Sequence, residues 1–316
     1  MRFSVIMPLY NKAPYVTKAI ESVLAQTFHD YELIIVDDGS KDDSAAMARQ
    51  AIEGQGHCRL VQQGNAGVSM ARNNGVSVSN GDYLCFLDAD DWWEPAFLEE
   101  MSGLIDAFPD AGIYGTNYRI VDEVKHKTRD AVMGVEEDFE KGCVNYFKAY
   151  AKSFYMPLWT GAVCVPRKVF DESSGFKPAL KMGEDFDLWV RIVLNHKMAL
   201  LNKPLSNYNQ DVNVNMRAIG TLPDPSSQFA FCADYLNTEK ARDPELKFVV
   251  EMVQIACLRS YYLSSQYHKR AKEVLDLLDL GAHKDMYYAA YLHHPVLWTR
   301  MKDKLAGLLN KWRRRN

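Results

Sequence analysis

Strand-like and helix-like runs alternate through residue 87 with short connections, a pattern that commits a chain to a mainly parallel sheet covered by helices on both faces. Residues 3–9 read as a first strand and 14–26 as a helix, followed by a second strand over 32–36. Ser40 with Asp43 three residues later has the form of a capping box opening a helix over 42–53. A third strand is expected over 58–62, a helix from Gly67 to about Val78, and a fourth strand over 81–87. After Pro109 the pattern loosens into strand-like segments at 111–121 and 160–165 and helices at 140–151 and 184–194. The turn-rich GTLPDPSS at 220–227 then divides an α/β domain, 1–222, from a helical appendage, 223–316. In the appendage, helices are expected over 228–240, 245–264, 269–278 and 296–312.

The ends of the strands carry the chemistry. GDYLCFL runs straight into Asp88–Ala89–Asp90–Asp91, placing carboxylates at the carboxyl edge of the sheet, where open α/β folds build ligand crevices. Acid oxygens suit Mg²⁺ or Mn²⁺, ions that usually share their coordination with substrate phosphates. The competing reading is that Asp90 and Asp91 cap a helix over 94–107. Asp37 and Asp38 end the second strand in the same way and can accept hydrogen bonds from a base or ribose, or cap the next helix. Arg72, with Asn73 and Asn74, lies in the first turns after Gly67, where a cation can meet a pyrophosphate or simply be solvated. Glu184 and Asp185 open FDLWVRIVL, either as acids complementing a helix dipole or as a general base at a cleft.

Composition narrows the classes. With 316 residues, 47% hydrophobic and 25% charged, the chain has the make-up of an ordinary globular protein. A formal charge of −4 argues against a nucleic-acid binder working through a broad basic surface. The C-terminal stretch 295–316 is the exception, with seven basic side chains against the single acid Asp303. Trp298, Met301, Leu305, Leu308, Leu309 and Trp312 share one face of the helix expected there. That face either packs on the protein or docks on an anionic membrane. Six scattered cysteines without CxxC spacing read as reduced core residues, and no run reaches the length of a spanning helix. A strand pattern directly after Met1 leaves no room for a signal peptide, so a cytoplasmic protein, peripheral to the inner membrane face at most, is expected. No GxxxxGK[ST], GxSxG or HExxH sequence is present.

Four segments, in order, resemble the family 2 glycosyltransferases of GT-A fold: VIMPLYNKAPYVTKAIESVLAQTFHDYELIIVDDGSKD, GNAGVSMARNNGVSVSNGDYLCFLDADDWW, WTGAVCVPRKVF and MGEDFDLWVRI. The resemblance covers roughly residues 1–210. It implies an inverting, metal-dependent hexosyltransferase that moves a sugar from a nucleotide-sugar, a UDP-sugar, to a glycan or lipid-linked acceptor in cell-surface polysaccharide assembly. By the same resemblance, Pro8, Tyr10, Asn11, Asp38 and Arg72 contact the nucleotide, together with Asp88. Asp88 and Asp90 form the DxD motif that holds Mn²⁺ or Mg²⁺, with Asp90 the direct ligand and Asp91 supporting it. Asp185 falls at the general-base position, and Glu184 and Trp159 lie toward the acceptor. Trp92, Trp93 and the segment Trp159–Gly161 are candidates to line the sugar pocket.

One departure is visible. Many family members carry a His after the general-base helix that completes metal coordination, whereas Asn207–Met216 (NYNQDVNVNM) has none, leaving Gln210 or Asp211 as substitutes. Two other functions fit the same pattern less fully. A non-catalytic nucleotide-sugar binding or scaffold module would not need Asp185 intact. A sugar nucleotidyltransferase would need a Gly-rich, basic first loop, where this chain has PLYNK.

Overall fold

The computed structural model describes residues 1–122, 125–210 and 222–294. The chain divides into two units, Met1–Thr221 and Leu222–Asn316. The first opens with β1 (Phe3–Leu9), α1 (Val16–Leu24), β2 (Tyr31–Asp37), α2 (Ser44–Ala51), β3 (Cys58–Gln62), α3 (Val68–Ser77) and β4 (Tyr83–Phe86). It continues through β5 (Trp92–Trp93), α4 (Phe97–Ala107), β6 (Ala111–Asp122), β7 (Lys127–Asp130), β8 (Lys141–Val144) and α5 (Tyr146–Ser153). Then follow β9 (Val163–Pro166), α6 (Arg167–Glu172), α7 (Glu184–Val193) and β10 (Lys197–Asn209). Among the described residues, ten strands form one sheet, ordered β3-β2-β1-β4-β9-β6-β10-β5, with β7 beside β6 and β8 beside β10.

The first four strands run parallel. Period-two alternation decides which helices cover which face. In β1, Phe3, Val5, Met7 and Leu9 join Val16, Ala19, Ile20 and Val23 of α1 and Phe97, Leu98 and Met101 of α4 in one core. Ile6 and Val36 point to the other face, where α3 packs so closely that a Cβ on Gly75 would lie 2.5 Å from Ile6 Cγ2. With both faces covered, β2 is buried over all seven residues, which is why it reads as a continuous apolar run. Beyond β4 the sheet becomes mixed: β9 is antiparallel to β4 and β6, and β10 runs parallel to β6.

Several expectations need correction. Helix α2 starts at Ser44, so Ser40 forms no capping box; its backbone N–H donates to Asp37 Oδ1 at 3.0 Å and its hydroxyl accepts from Asn11 N at 3.0 Å. Helix α4 starts at Phe97 behind an Ala96 cap, so Asp90 and Asp91 cap nothing. The helix expected over 140–151 begins at Tyr146, because Lys141–Val144 pairs antiparallel with β10 and Asn145 caps α5 by accepting from Lys148 N at 2.9 Å. The strand expected over 160–165 starts at Val163, after a 3₁₀ turn at Thr160–Ala162. Of the six free cysteines, Cys143 is exposed on β8.

The second unit is helical among its described residues. Its segment 228–240 is broken into α8 (Phe229–Cys232), a 3₁₀ turn at Ala233–Leu236 and α9 (Asn237–Arg242). Next come α10 (Pro244–Leu263), α11 (His268–Leu275) and α12 (Leu280–His283). Asp243 caps α10 by accepting from Glu245 and Leu246 N–H, with Pro244 in the first turn, where its missing donor costs nothing. The amphipathic face expected over 296–312, and Asp211, lie outside the described residues.

Candidate active site

The carboxyl ends of β1, β2 and β4 converge with the start of α7. Pro8 is the penultimate residue of β1, in register with Val36, and Tyr10 follows the strand, half-buried. Asn11 has a left-handed backbone (φ 51°), which Asn tolerates better than most residues. Its side-chain oxygen accepts from Lys41 N at 2.8 Å, tying the loop after β1 to the loop after β2. Asp38 is buried, and its carboxylate accepts from Gln63 Nε2 (2.7 Å), Ala66 N (2.8 Å) and Gly67 N (2.8 Å). Those bonds occupy three of its four acceptor positions and fix the β3–α3 connection against the end of β2.

Arg72, 3% exposed, is the hinge of the site. Its guanidinium donates to Asp88 Oδ1 at 2.8 Å and to Glu184 Oε1 at 3.0 Å, and lies 5.1 Å over the Phe176 ring. Helix α3 therefore brings the acid after β4 and the acid opening α7 to one place. Its Nε is buried without a hydrogen-bond partner. Burial works against the Arg72 charge, but Asp88 and Glu184 more than offset it and the pKa rises.

The acids at this place differ in setting. Asp88 is about a third exposed. Asp90 is mostly buried, and its Oδ2 accepts from Lys12 Nζ at 2.5 Å. Burial and the neighbouring Asp88 charge push the Asp90 carboxyl up, against the pull of Lys12. Asp91 is 2% exposed and is pushed well up by burial, then by Asp90 and Asp88. It accepts from Asn209 N at 2.9 Å and from Trp159 Nε1 at 3.4 Å, so it joins the DADD turn to β10 and to the Trp159 segment.

Glu184 and Asp185 open α7 after Gly183, whose positive φ (77°) makes the turn into the helix. Burial, then the Asp185 charge, raises the Glu184 carboxyl to about 7; Arg72 opposes this but divides its charge with Asp88. Asp185 is held at both oxygens: Phe186 N donates to Oδ1 at 2.7 Å and Thr160 Oγ1 to Oδ2 at 3.1 Å. Asp187, by contrast, is fully buried and ion-paired with Lys177 and Arg191, a structural role.

Of the tryptophans expected near the sugar, Trp159 packs against Tyr208 (4.2 Å between ring centres) and Tyr118 (5.6 Å), forming an aromatic group beside Asp91. Trp92 is half-buried under Lys18 Nζ, 3.2 Å from its ring centre. Trp93 is core: 3% exposed, stacked on Phe97 at 4.0 Å and donating to Gly161 O at 2.6 Å. Sequence reasoning passed over Lys12, Tyr118 and Tyr208. Lys12 stands directly after Tyr10–Asn11, but no local pattern links it to an acid 78 positions away.

Asp88 and Asp90 offer hard carboxylate oxygens of the kind Mg²⁺ and Mn²⁺ take. Among the described residues, no group of three or more His, Cys, Asp or Glu side chains is arranged to hold a metal ion. Two carboxylates are a donor set to which Mg²⁺ would add phosphate oxygens and water; here Asp88 accepts from Arg72 and Asp90 from Lys12.

Residues 4–172 match the sequence profile of Glycosyl transferase family 2. An uncharacterized glycosyltransferase of Rickettsia felis is 28% identical over 236 residues, 67% of this chain and 37% of its own. Glycosyltransferase GlyA of Streptococcus pneumoniae is 31% identical over 215 residues, 66% of this chain and 30% of its own. Glycosyltransferase YibD of Escherichia coli K12 is 43% identical over 100 residues, 32% of this chain and 29% of its own. The chain thus spans about a third of the length of these curated relatives. In fold it is similar to TarS 1–349 of S. aureus solved with UDP-GlcNAc, with a TM-score of 0.62 and 17% identity over 90% of this chain and 73% of that one. The same TarS fragment solved with UDP gives 0.58 and 18% over 92% and 89%. A match across more than half its length makes this chain a member of glycosyl transferase family 2.

Proposed function

We propose that the first unit transfers a sugar, with inversion, from a UDP-sugar to a hydroxyl of a glycan or lipid-linked acceptor in cell-surface polysaccharide assembly. The observation that supports this reading is the double contact of Arg72, which joins Asp88 after β4 to Glu184 at the start of α7. The UDP and UDP-GlcNAc complexes of TarS, similar in fold, support a uridine donor.

In this reading Asp185 is the general base. Thr160 and Phe186 fix its carboxylate while leaving acceptor positions for an incoming hydroxyl. The acceptor O–H bond breaks and its proton passes to Asp185. The oxygen then bonds to the anomeric carbon, and the bond from that carbon to the diphosphate breaks, releasing UDP. A single displacement inverts the centre and needs no glycosyl-enzyme intermediate. Glu184, near half-protonated around neutral pH, can hydrogen-bond the acceptor as donor or acceptor. Asp88 and Asp90 would hold Mg²⁺ or Mn²⁺, which when bound supplies positive charge for the departing diphosphate. Arg72 adds a fixed cation to the same site. The aromatic group around Trp159 suits packing against the apolar face of a sugar ring.

The reading extends to location: segment 296–316 is proposed to hold the enzyme on an anionic membrane surface. No helix among the described residues is long and apolar enough to cross a membrane.

The deciding experiment pairs turnover with binding. Asp185→Asn should lower turnover by about 10²-fold or more, the usual contribution of a general base. The thermal stabilisation by UDP with Mn²⁺ should persist, at about 2.7 kcal/mol when UDP is at about 100 times its Kd. Stabilisation by GDP, CDP or dTDP instead of UDP would move the donor class. A wild type that binds UDP but turns over no UDP-sugar would identify a binding module.

A further inference from the structure

The Lys12–Asp90 pair differs from the Arg72 pairs of the site in its cation: a flexible ammonium faces one carboxylate, where Arg72 divides a guanidinium between Asp88 and Glu184. Both side chains are largely shielded, at 14% and 16% exposure, and the ammonium is 2.5 Å from Asp90 Oδ2. The lysine also comes from a rigid base. Its N–H donates to Ser44 Oγ at 2.7 Å, and its carbonyl accepts from Tyr15 N and Val16 N at 2.9 and 3.0 Å. Asn11 before it and Ala13 after it are bonded to the loop following β2. The backbone is therefore fixed, and only the four-carbon side chain has to move for the ammonium to leave Asp90.

Asp90 needs such a partner. Asp88 and Asp91 flank it in sequence and in charge, and Arg72 is engaged with Asp88 and Glu184 rather than with Asp90. A shielded carboxylate beside other carboxylates is costly without a counter-charge, and Lys12 provides one. A divalent cation bound at about 2.1 Å from the same oxygen would stand within about 5 Å of the ammonium, and the two would repel.

We infer that Lys12 is a resident counter-cation of Asp90 that a divalent metal must displace, so that metal affinity is set by competition with this side chain. The inference rests on the proposed DxD metal site and adds to it a residue that tunes occupancy. Lys12 is a positioning group: it holds the Asp90 carboxylate in place in the free enzyme, then yields it.

The test is Mn²⁺ binding, read by loss of the free-ion electron paramagnetic resonance signal, for wild type, Lys12→Met, Lys12→Arg and Asp90→Asn, each with and without UDP. Lys12→Met keeps the length of the stem and removes the charge. If the pair is formed about 90% of the time in the free protein, removing it tightens Mn²⁺ binding about tenfold. Lys12→Arg, which preserves the competing charge, should stay near wild type. Equal or weaker Mn²⁺ binding by a folded Lys12→Met protein overturns the inference while leaving the metal site standing. No Mn²⁺ binding by any variant, even with UDP, or wild-type binding by Asp90→Asn, removes the DxD metal reading and the inference with it.

Discussion

At the scale of single residues, the acids opening α7 divide their work through their surroundings. Asp185 is oriented by two donors, whereas Glu184 is pressed between burial, the Asp185 charge and a guanidinium it shares. Its carboxyl titrates near 7 in the folded protein against an ordinary value of 4.5. Between those values the folded state binds more protons than the unfolded one. The stability Glu184 contributes is therefore complete below about 4.5 and lost as pH rises through about 7. Glu184→Gln should flatten the fall in stability across that window, as measured by urea unfolding at several pH values. A fall as steep as wild type's would show that other groups, such as Asp91, cause it. None of this was visible in the string GED, which is equally what a helix start requires. The nearby partners Arg72 and Thr160 come from other segments.

At the scale of elements, legibility followed local pattern. Strands β1 and β3 matched their expected bounds because their flanking turn residues and apolar runs are self-sufficient signals. Strand β10 was not anticipated. KMALLNKPLSNYN lacks alternation and carries Pro204, and the strand accommodates that residue with register shifts on either side of it against β6. It is a strand because β6, β8 and β5 pair with it, and those pairings also bring Asn209 to Asp91. Helix α3 shows the opposite dependence, of packing on one small residue. A methyl at Gly75 would meet the buried Ile6 at 2.5 Å and Val36 at 3.1 Å. Gly75→Ala gains about 1 kcal/mol of helix propensity but should cost about 1–3 kcal/mol in overpacking, a net loss or near balance. It should also displace Arg72, so the diagnostic result is weaker UDP binding in a folded protein; unchanged UDP binding would uncouple α3 packing from the site.

At the scale of the whole molecule, the site belongs to the first unit, and the basic C-terminal stretch is a separate property of the sequence. With seven basic side chains over 295–316 and an apolar face at helical spacing, it should bind vesicles containing anionic lipid in a salt-dependent way. Deleting 296–316 should abolish sedimentation with such vesicles. Failure of the wild type to sediment at low salt would remove the membrane part of the proposal. The amino-acid sequence by itself determined the βαβ order through β4 and the placing of acids after β2 and β4, because turn residues and apolar runs are local signals. Only the tertiary structure decided which charges meet: Arg72 between Asp88 and Glu184, Lys12 on Asp90, and Asp91 on β10. Those pairings join positions up to 118 residues apart. They are set by which strands lie side by side and by how closely α3 seats on the sheet, and no local spacing encodes either.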